Sequence, residues 1–151
     1  MPNYNMPWTK ATLSTTVGAA AVECPVASMR RIAVNGLRMG FLTASGDVAI
    51  AIQLKRQTTA STATAVVPSP LDDADAACVT VGASNITVEG TVPATPALLA
   101  IAFNLRGMLQ FDASPGRELI VPATSVFGLI LQTPTLAGGT PGGWGDIRFN
   151  E

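Results

Sequence analysis

Val48-Ala49-Ile50-Ala51-Ile52-Gln53-Leu54-Lys55 alternates without a slip, with Val48, Ile50, Ile52 and Leu54 on one side and Ala49, Ala51, Gln53 and Lys55 on the other. A period of two sends successive side chains to opposite faces of an extended chain, so the stretch reads as a β-strand with one face in a core. The opposite face is small and nearly flat, which suits contact with another sheet, a neighbouring subunit or a covering loop.

Similar signals recur on both sides of it. Lys10 to Val17 alternates around Ala11, Leu13 and Val17, and after Gly18 the pattern resumes from Ala19 to Cys24. Met29 to Val34 leads into Asn35-Gly36, a dipeptide suited to the positive φ angles of a tight hairpin. That predicts Leu37 to Ala44 as the returning strand and Ser45-Gly46-Asp47 as the next turn. Gln57 to Ala77 reads as a long connection with one short strand around Ala63 to Val67. Short strands are also expected at Cys78 to Val81, Asn85 to Glu89, Met108 to Phe111, Glu118 to Val121, Val126 to Gln132 and Asp146 to Asn150. The apolar run Ala97 to Asn104 suits a central strand, Ser114-Pro115-Gly116 a turn, and Leu136 to Gly145 a Gly-rich loop.

No segment keeps a helical apolar face for three turns. About nine or ten short strands bounded by turn signals need a second sheet to bury their apolar faces. The fold expected is all-β, an antiparallel two-sheet β-sandwich, jelly-roll-like, with residues 10–151 as a single domain. Residues 1–9 carry Pro2, Pro7, Asn3, Asn5, Tyr4 and Trp8 and read as an extended N-terminal arm, either resting on another surface or frayed.

Of the 151 residues 48% are hydrophobic and only 13% charged, against roughly a quarter charged in ordinary globular domains. So few charges leave surface that is normally covered by something. A net charge of −1 provides no general field toward nucleic acid or an anionic membrane. Histidine is absent, which removes the commonest general base and metal ligand. Lys10 and Lys55, the only lysines, sit in no serine motif and read as strand-end charges. Asp72-Asp73-Ala74-Asp75 lacks the glycine and glutamate of a calcium loop and reads as solvated. No catalytic, metal or cofactor-binding residues are therefore assigned, and the chain is expected not to be an enzyme.

Met1 to Trp8 has no basic stretch followed by an apolar one, so synthesis in a cytoplasm is expected. No run approaches the ~18 apolar residues of a membrane span. Cys24 and Cys78 stay open between two buried thiols and a disulfide, which would close a long loop. Trp144 stays open between capping the sandwich and anchoring a contact.

Met29-Arg30-Arg31-Ile32-Ala33-Val34, Val48 to Arg56 with its Gln53-Leu54-Lys55-Arg56-Gln57-Thr58-Thr59 end, Ser61-Thr62-Ala63-Thr64 and Pro70-Leu71-Asp72-Asp73-Ala74-Asp75-Ala76-Ala77 follow one another in order. This arrangement, over residues 29–78, resembles small β-sandwich virion proteins of tailed bacteriophages. The resemblance implies a capsid decoration (cement) protein: a homo-oligomer, dimer or trimer, bound over joints between major capsid proteins on the virion surface, after synthesis in the host cytoplasm. Tyr4, Met6 and Trp8 would then anchor the arm, and Arg30, Arg31, Lys55 and Arg56 would meet capsid carboxylates. For the two arginine-containing pairs, protection of a strand edge is the alternative. The other function in play is a phage tail or fibre component that binds a receptor or glycan, with loops 57–77 or 133–145 holding a sugar against Trp144.

Overall fold

The alternation of Val48 to Lys55 is that of a real strand. In the computed structural model, which describes residues 1–25, 30–42, 47–121, 128–136 and 141–151, Ile50, Ile52 and Leu54 are buried while Ala49 is exposed and Ala51, Gln53 and Lys55 are half-buried. The strands, in chain order, are β1 (Asn3–Lys10), β2 (Ala20–Glu23), β3 (Ile32–Phe41), β4 (Ala49–Gln57), β5 (Thr62–Val66) and β6 (Ser69–Pro70). After them come β7 (Val81–Val88), β8 (Leu99–Asn104), β9 (Leu109–Asp112), β10 (Leu119–Val121), β11 (Gly128–Leu136) and β12 (Gly143–Asn150). No helix occurs among the described residues.

All pairings are antiparallel and make two sheets. The first has the order β6-β1-β12-β3, with β9 and β10 sharing the far side of β3; the second runs β5-β7-β2-β11-β4-β8. Their inner faces meet in a β-sandwich. Tyr4, Met6 and Trp8 of β1, Ile147 and Phe149 of β12, and Ile32, Val34, Leu37 and Met39 of β3 pack against Ala20 and Val22 of β2, Ile50, Ile52 and Leu54 of β4, and Leu129 and Leu131 of β11. A smaller cluster on the outer side of the second sheet joins Ala21, Ala83, Ile86 and Ile130, with Val17, Ala63 and Val92 packed against it.

The N-terminal arm is corrected. Residues 3–10 form a strand paired along its whole length with β12 and, at Tyr4 and Asn5, with β6, so the sandwich begins at Asn3 and not at residue 10. Tyr4, Met6 and Trp8 are 1%, 0% and 2% exposed and serve the core, not a partner. Their own spacing of two is the signal, and the prolines obscure it. Pro7 lies where β1 has no second neighbour, so its missing N–H leaves no ladder bond unmade on that side. Gly82 of β7 leaves the room that Met6 occupies: a Cβ there would lie 2.5 Å from the Met6 sulfur.

The Asn35-Gly36 hairpin is also corrected. β3 runs straight through it, and the register against β12 slips between Arg148 and Phe149, leaving Asn35 as the extra residue of a β-bulge. The bulge reverses the parity of the strand. Ile32 and Val34 before it and Leu37 and Met39 after it consequently all face the core.

Other boundaries move for related reasons. Residues 11–19 form no strand, and Lys10, buried and not a free strand-end charge, donates from Nζ to the Gly18 and Ile86 carbonyls at 2.8 and 2.7 Å. Cys78 to Thr80 form no strand; Val81 and the stretch expected from Asn85 belong to one strand, β7, which absorbs a bulge where Asn85 takes φ 51°. β8 is an edge strand, not a central one. β11 continues past Gln132 because Pro134 falls at a register break between Gln132 and Thr135. Ser114-Pro115-Gly116 turns as expected, with Gly116 at φ 83° and Arg117 N–H donating to the Ser114 carbonyl. The expectations for residues 26–29, 43–46, 122–127 and 137–140, including Met29, Ser45-Gly46 and Val126, lie outside the described residues.

Deletion of residues 1–9 removes a central strand with its three large core side chains. The truncated chain is expected to lose its cooperative urea transition, followed by far-UV circular dichroism. Trp8→Ala is expected to keep the transition with about 3–5 kcal/mol less stability; an unchanged midpoint in either variant contradicts the assignment of β1.

Candidate functional surfaces

The cations singled out by sequence part company. Arg30 and Arg31 are exposed just before β3, and Arg30 pairs with Glu151 at 3.9 Å. Arg56 spans the two sheets, donating from Nη2 to the Ile120 carbonyl of β10 at 3.2 Å. Lys55 lies half-buried on the outer side of the second sheet. The four are thus not brought together: Arg30 lies by Glu151, and Arg56 ties β4 to β10. Sequence reasoning missed Glu23 and Gln57, buried on β2 and β4 on either side of Gly128. The Gln57 amide donates to the Glu23 carboxylate across that glycine, and the Ser61 N–H donates to the same oxygen at 2.9 Å.

Around the last residue the polar groups tie β1, β12 and the 71–80 segment together. The Glu151 carboxylate accepts the Val79 N–H at 2.8 Å, the Thr80 N–H at 2.9 Å and the Thr80 hydroxyl at 2.6 Å. Burial pushes its pKa up, but these hydrogen bonds outweigh that and hold it below the ordinary 4.5. Nearby, Tyr4 stacks on Phe149 with ring centres 5.7 Å apart and donates its hydroxyl to the Ala76 carbonyl. Cys24 and Cys78 are thiols, the first buried and the second half-buried. Burial, followed by the neighbouring Glu151 charge, pushes the Cys78 thiol up to about 12. It therefore stays protonated and unreactive near neutral pH.

The outer face of the first sheet is polar and laid out in registered rows. One row is Gln110 (β9), Arg38 (β3), Asp146 (β12) and Pro7 (β1); the next is Asp112, Gly36, Arg148 and Asn5. Arg148 reaches across Gly36 to bond Asp112, because a Cβ at Gly36 would sit 2.6 Å from the guanidinium. The Gln110 amide, then the Arg148 guanidinium, holds the Asp112 carboxyl below its ordinary value. A third row is Gly40, Trp144 and Thr9. The Trp144 indole lies over Gly40, 3.1 Å from where a Cβ would be, and the residue remains 42% exposed. Beside it a cavity of about 360 Å³ is lined by Phe41, Leu105, Arg106 and Met108.

The outer face of β4 and β8 is different. Ala51 opposes Ala102 and Ala49 opposes Asn104, and Ala49, Ala100 and Ala102 are exposed. β8 has six residues, with no charge and no proline, and is the longest edge strand among the described residues; β5 has five, β9 four, β10 three and β6 two. Among the described residues no group of three or more acidic or cysteine side chains is placed to hold a metal, and no helix is long and apolar enough to cross a membrane.

Neither the protein-family models, the curated proteins nor the solved structures compared with this chain include a match.

Because its pKa is depressed by folding, Glu151 contributes stability above about pH 4.5 that is lost as the pH falls through its lower folded value. The difference in urea midpoint between the wild type and Glu151→Gln is expected to shrink between pH 6 and pH 3. Cys78 is expected to resist iodoacetamide at pH 8 in the native state and to react readily in urea. A native Cys78 that labels as fast as in urea contradicts the raised pKa.

Proposed function

We propose that this chain is a structural virion protein, a capsid decoration (cement) protein that works by contact and performs no bond-making step. The observation that carries the reading is the β8 edge: six uncharged residues beside the exposed alanines of β4 and β8. Natural sheets guard such an edge with charge, proline or brevity, and the other edges among the described residues are shorter. An unguarded edge beside a flat small-residue face fits pairing with another protein, either a second copy or a capsid subunit. The low charge content fits a permanent contact, and the resemblance of residues 29–78 supplies the class.

Strand order supports the jelly-roll expectation. β1-β12-β3 continued by β9 and β10, facing β2-β11-β4-β8, fits the two-sheet arrangement of that fold when β5, β6 and β7 are read as an insertion between β4 and β8. With Tyr4, Met6 and Trp8 inside, capsid attachment passes from the arm to β8 and its alanine face. Arg30 and Arg31 remain exposed just before β3 for polar contacts. The tail or fibre alternative draws its support from Trp144 on the other sheet.

Ala102→Lys places a charge on the exposed face of the edge strand and is expected to leave the unfolding free energy, measured in urea, within about 0.5 kcal/mol of wild type. It is also expected to lower occupancy on expanded capsids at least tenfold, read by co-sedimentation. Full occupancy by this variant, or gold labelling of intact particles at the tail and not the head, overturns the reading.

A further inference from the structure

The edges of the two sheets are not alike. Among the described residues, β5 is interrupted by a register shift between Thr62 and Thr64, β6 ends on Pro70, β9 carries Asp112 and β10 has three residues. Bulges, prolines, charges and brevity all discourage a further strand, and β8 has none of them. Its outward groups follow from its bonding to β4. The Leu105 N–H donates to the Val48 carbonyl at 2.9 Å, one position beyond the Asn104–Ala49 pair. Successive residues of an antiparallel ladder point their N–H and carbonyl to opposite sides. Leu99, Ile101 and Phe103 therefore bond β4, and the N–H and carbonyl groups of Ala100, Ala102 and Asn104 point out of the edge.

Those three positions are centred on Ala102, so an identical strand laid antiparallel about a two-fold axis at Ala102 serves all of them. Ala102 then opposes its own counterpart, Ala100 opposes Asn104 on either side, and each pair exchanges two N–H···O bonds. The side chains agree with that register. On the outer face neither β8 nor its β4 neighbours Ala49, Ala51 and Gln53 carry a charge, so two identical edges meet without like-charge repulsion. Asn104 is already served within its own chain: its side-chain amide donates to Asp47 and its oxygen accepts the Arg106 N–H at 2.8 Å. On the inner face Ile101 opposes Phe103 of the other copy. Both are half-buried against the core, with Phe103 resting on Phe41 at 5.5 Å between ring centres. The part of them left open at the edge is apolar surface that the second copy covers. A second copy meets these requirements by symmetry alone, whereas a different chain has to reproduce each of them.

We propose that β8 pairs antiparallel with β8 of a second copy about a two-fold axis at Ala102, joining two six-stranded sheets into one. The inference rests on the reading of the β8 edge as a contact surface and names its occupant. The capsid then meets the doubled alanine face of β4 and β8, and not the strand edge.

Sedimentation equilibrium of the full chain at high micromolar concentration tests the proposal. A dimer is expected. Ala102→Lys and Ala102→Glu are each expected to weaken it severalfold, because two like charges are set on Cα atoms about 5.5 Å apart. An equimolar mixture of the two variants is expected to recover the wild-type association, since only a strand paired with itself at position 102 places lysine against glutamate. Should either variant fail to fold, amide exchange of the wild type decides: the Ala102 N–H gains protection as concentration rises, and protection independent of concentration overturns the proposal. A monomer at every concentration, a trimer, a dimer that both variants leave intact, or a mixture that fails to associate overturns it equally. Occupancy on expanded capsids separates this inference from the capsid reading. A monomeric wild type that fills its capsid sites overturns only the dimer, and a dimer that fails to bind overturns only the capsid function.

Discussion

Burial of Tyr4, Met6 and Trp8 beneath β12 and against the second sheet is the packing on which the remaining structure depends. Full burial of each such side chain contributes about 1.5–3 kcal/mol, and β1 places three of them in one strand. β12 needs β1 on one side and β3 on the other to be a central strand. The sheets then close on the β1 side: Ser84 of β7 accepts the Thr9 N–H and donates to the Thr9 carbonyl, both at 3.0 Å. The outward N–H and carbonyl of Thr9, beyond the short β6 partner, are thereby satisfied from the opposite sheet. On the side that ends in β8, Arg56 of β4 bonds the Ile120 carbonyl of β10 and Phe103 of β8 packs on Phe41 of β3, but the outward edge of β8 itself stays unpaired among the described residues.

A second constraint repeats at three places where a strand carries glycine and its neighbours use the space. Over Gly128 the Gln57 amide reaches the Glu23 carboxylate, over Gly36 the Arg148 guanidinium reaches Asp112, and over Gly40 the Trp144 ring lies flat. Each substitutes a lateral side-chain contact for the cross-strand pair that a Cβ would have made. The consequence is functional as well as structural. The outer face of the first sheet is thickly polar with one exposed indole, whereas the outer face of β4 and β8 is thin and built of alanine.

Much of the fold was legible in residue pattern. The strand class, the absence of helical periodicity, the alternation of Ile50, Ile52 and Leu54 and the turn at Ser114-Pro115-Gly116 all follow from local rules that neighbouring strands reinforce. The failures share a cause. Asn35-Gly36 has a strong local preference for a hairpin, yet the apolar spacing of Val34 and Leu37 demands one strand with an inserted residue, and burial outweighs the turn preference. Pro7 and Pro134 argued against strands, and both are tolerated where the second side is open or the register already breaks. The polar groups were least legible. Lys10 read as a strand-end charge and Glu23 went unnoticed, because nothing in their own neighbourhoods encodes the Gly18 and Ile86 carbonyls that accept from Lys10 or the Gln57 amide that donates to Glu23.

The order of residues by itself determined that this chain folds as layered strands with a small-residue, weakly charged exterior, because a period of two and a scarcity of ionisable groups act within a few positions of each residue. Which aromatics are core and which are surface was decided only in three dimensions. Trp8 and Trp144 are flanked by similarly irregular sequence, yet one faces the second sheet and the other faces outward over Gly40. Strand pairing over more than a hundred residues sets that difference, since it is the register of β1, β12 and β3 that assigns each ring to a side.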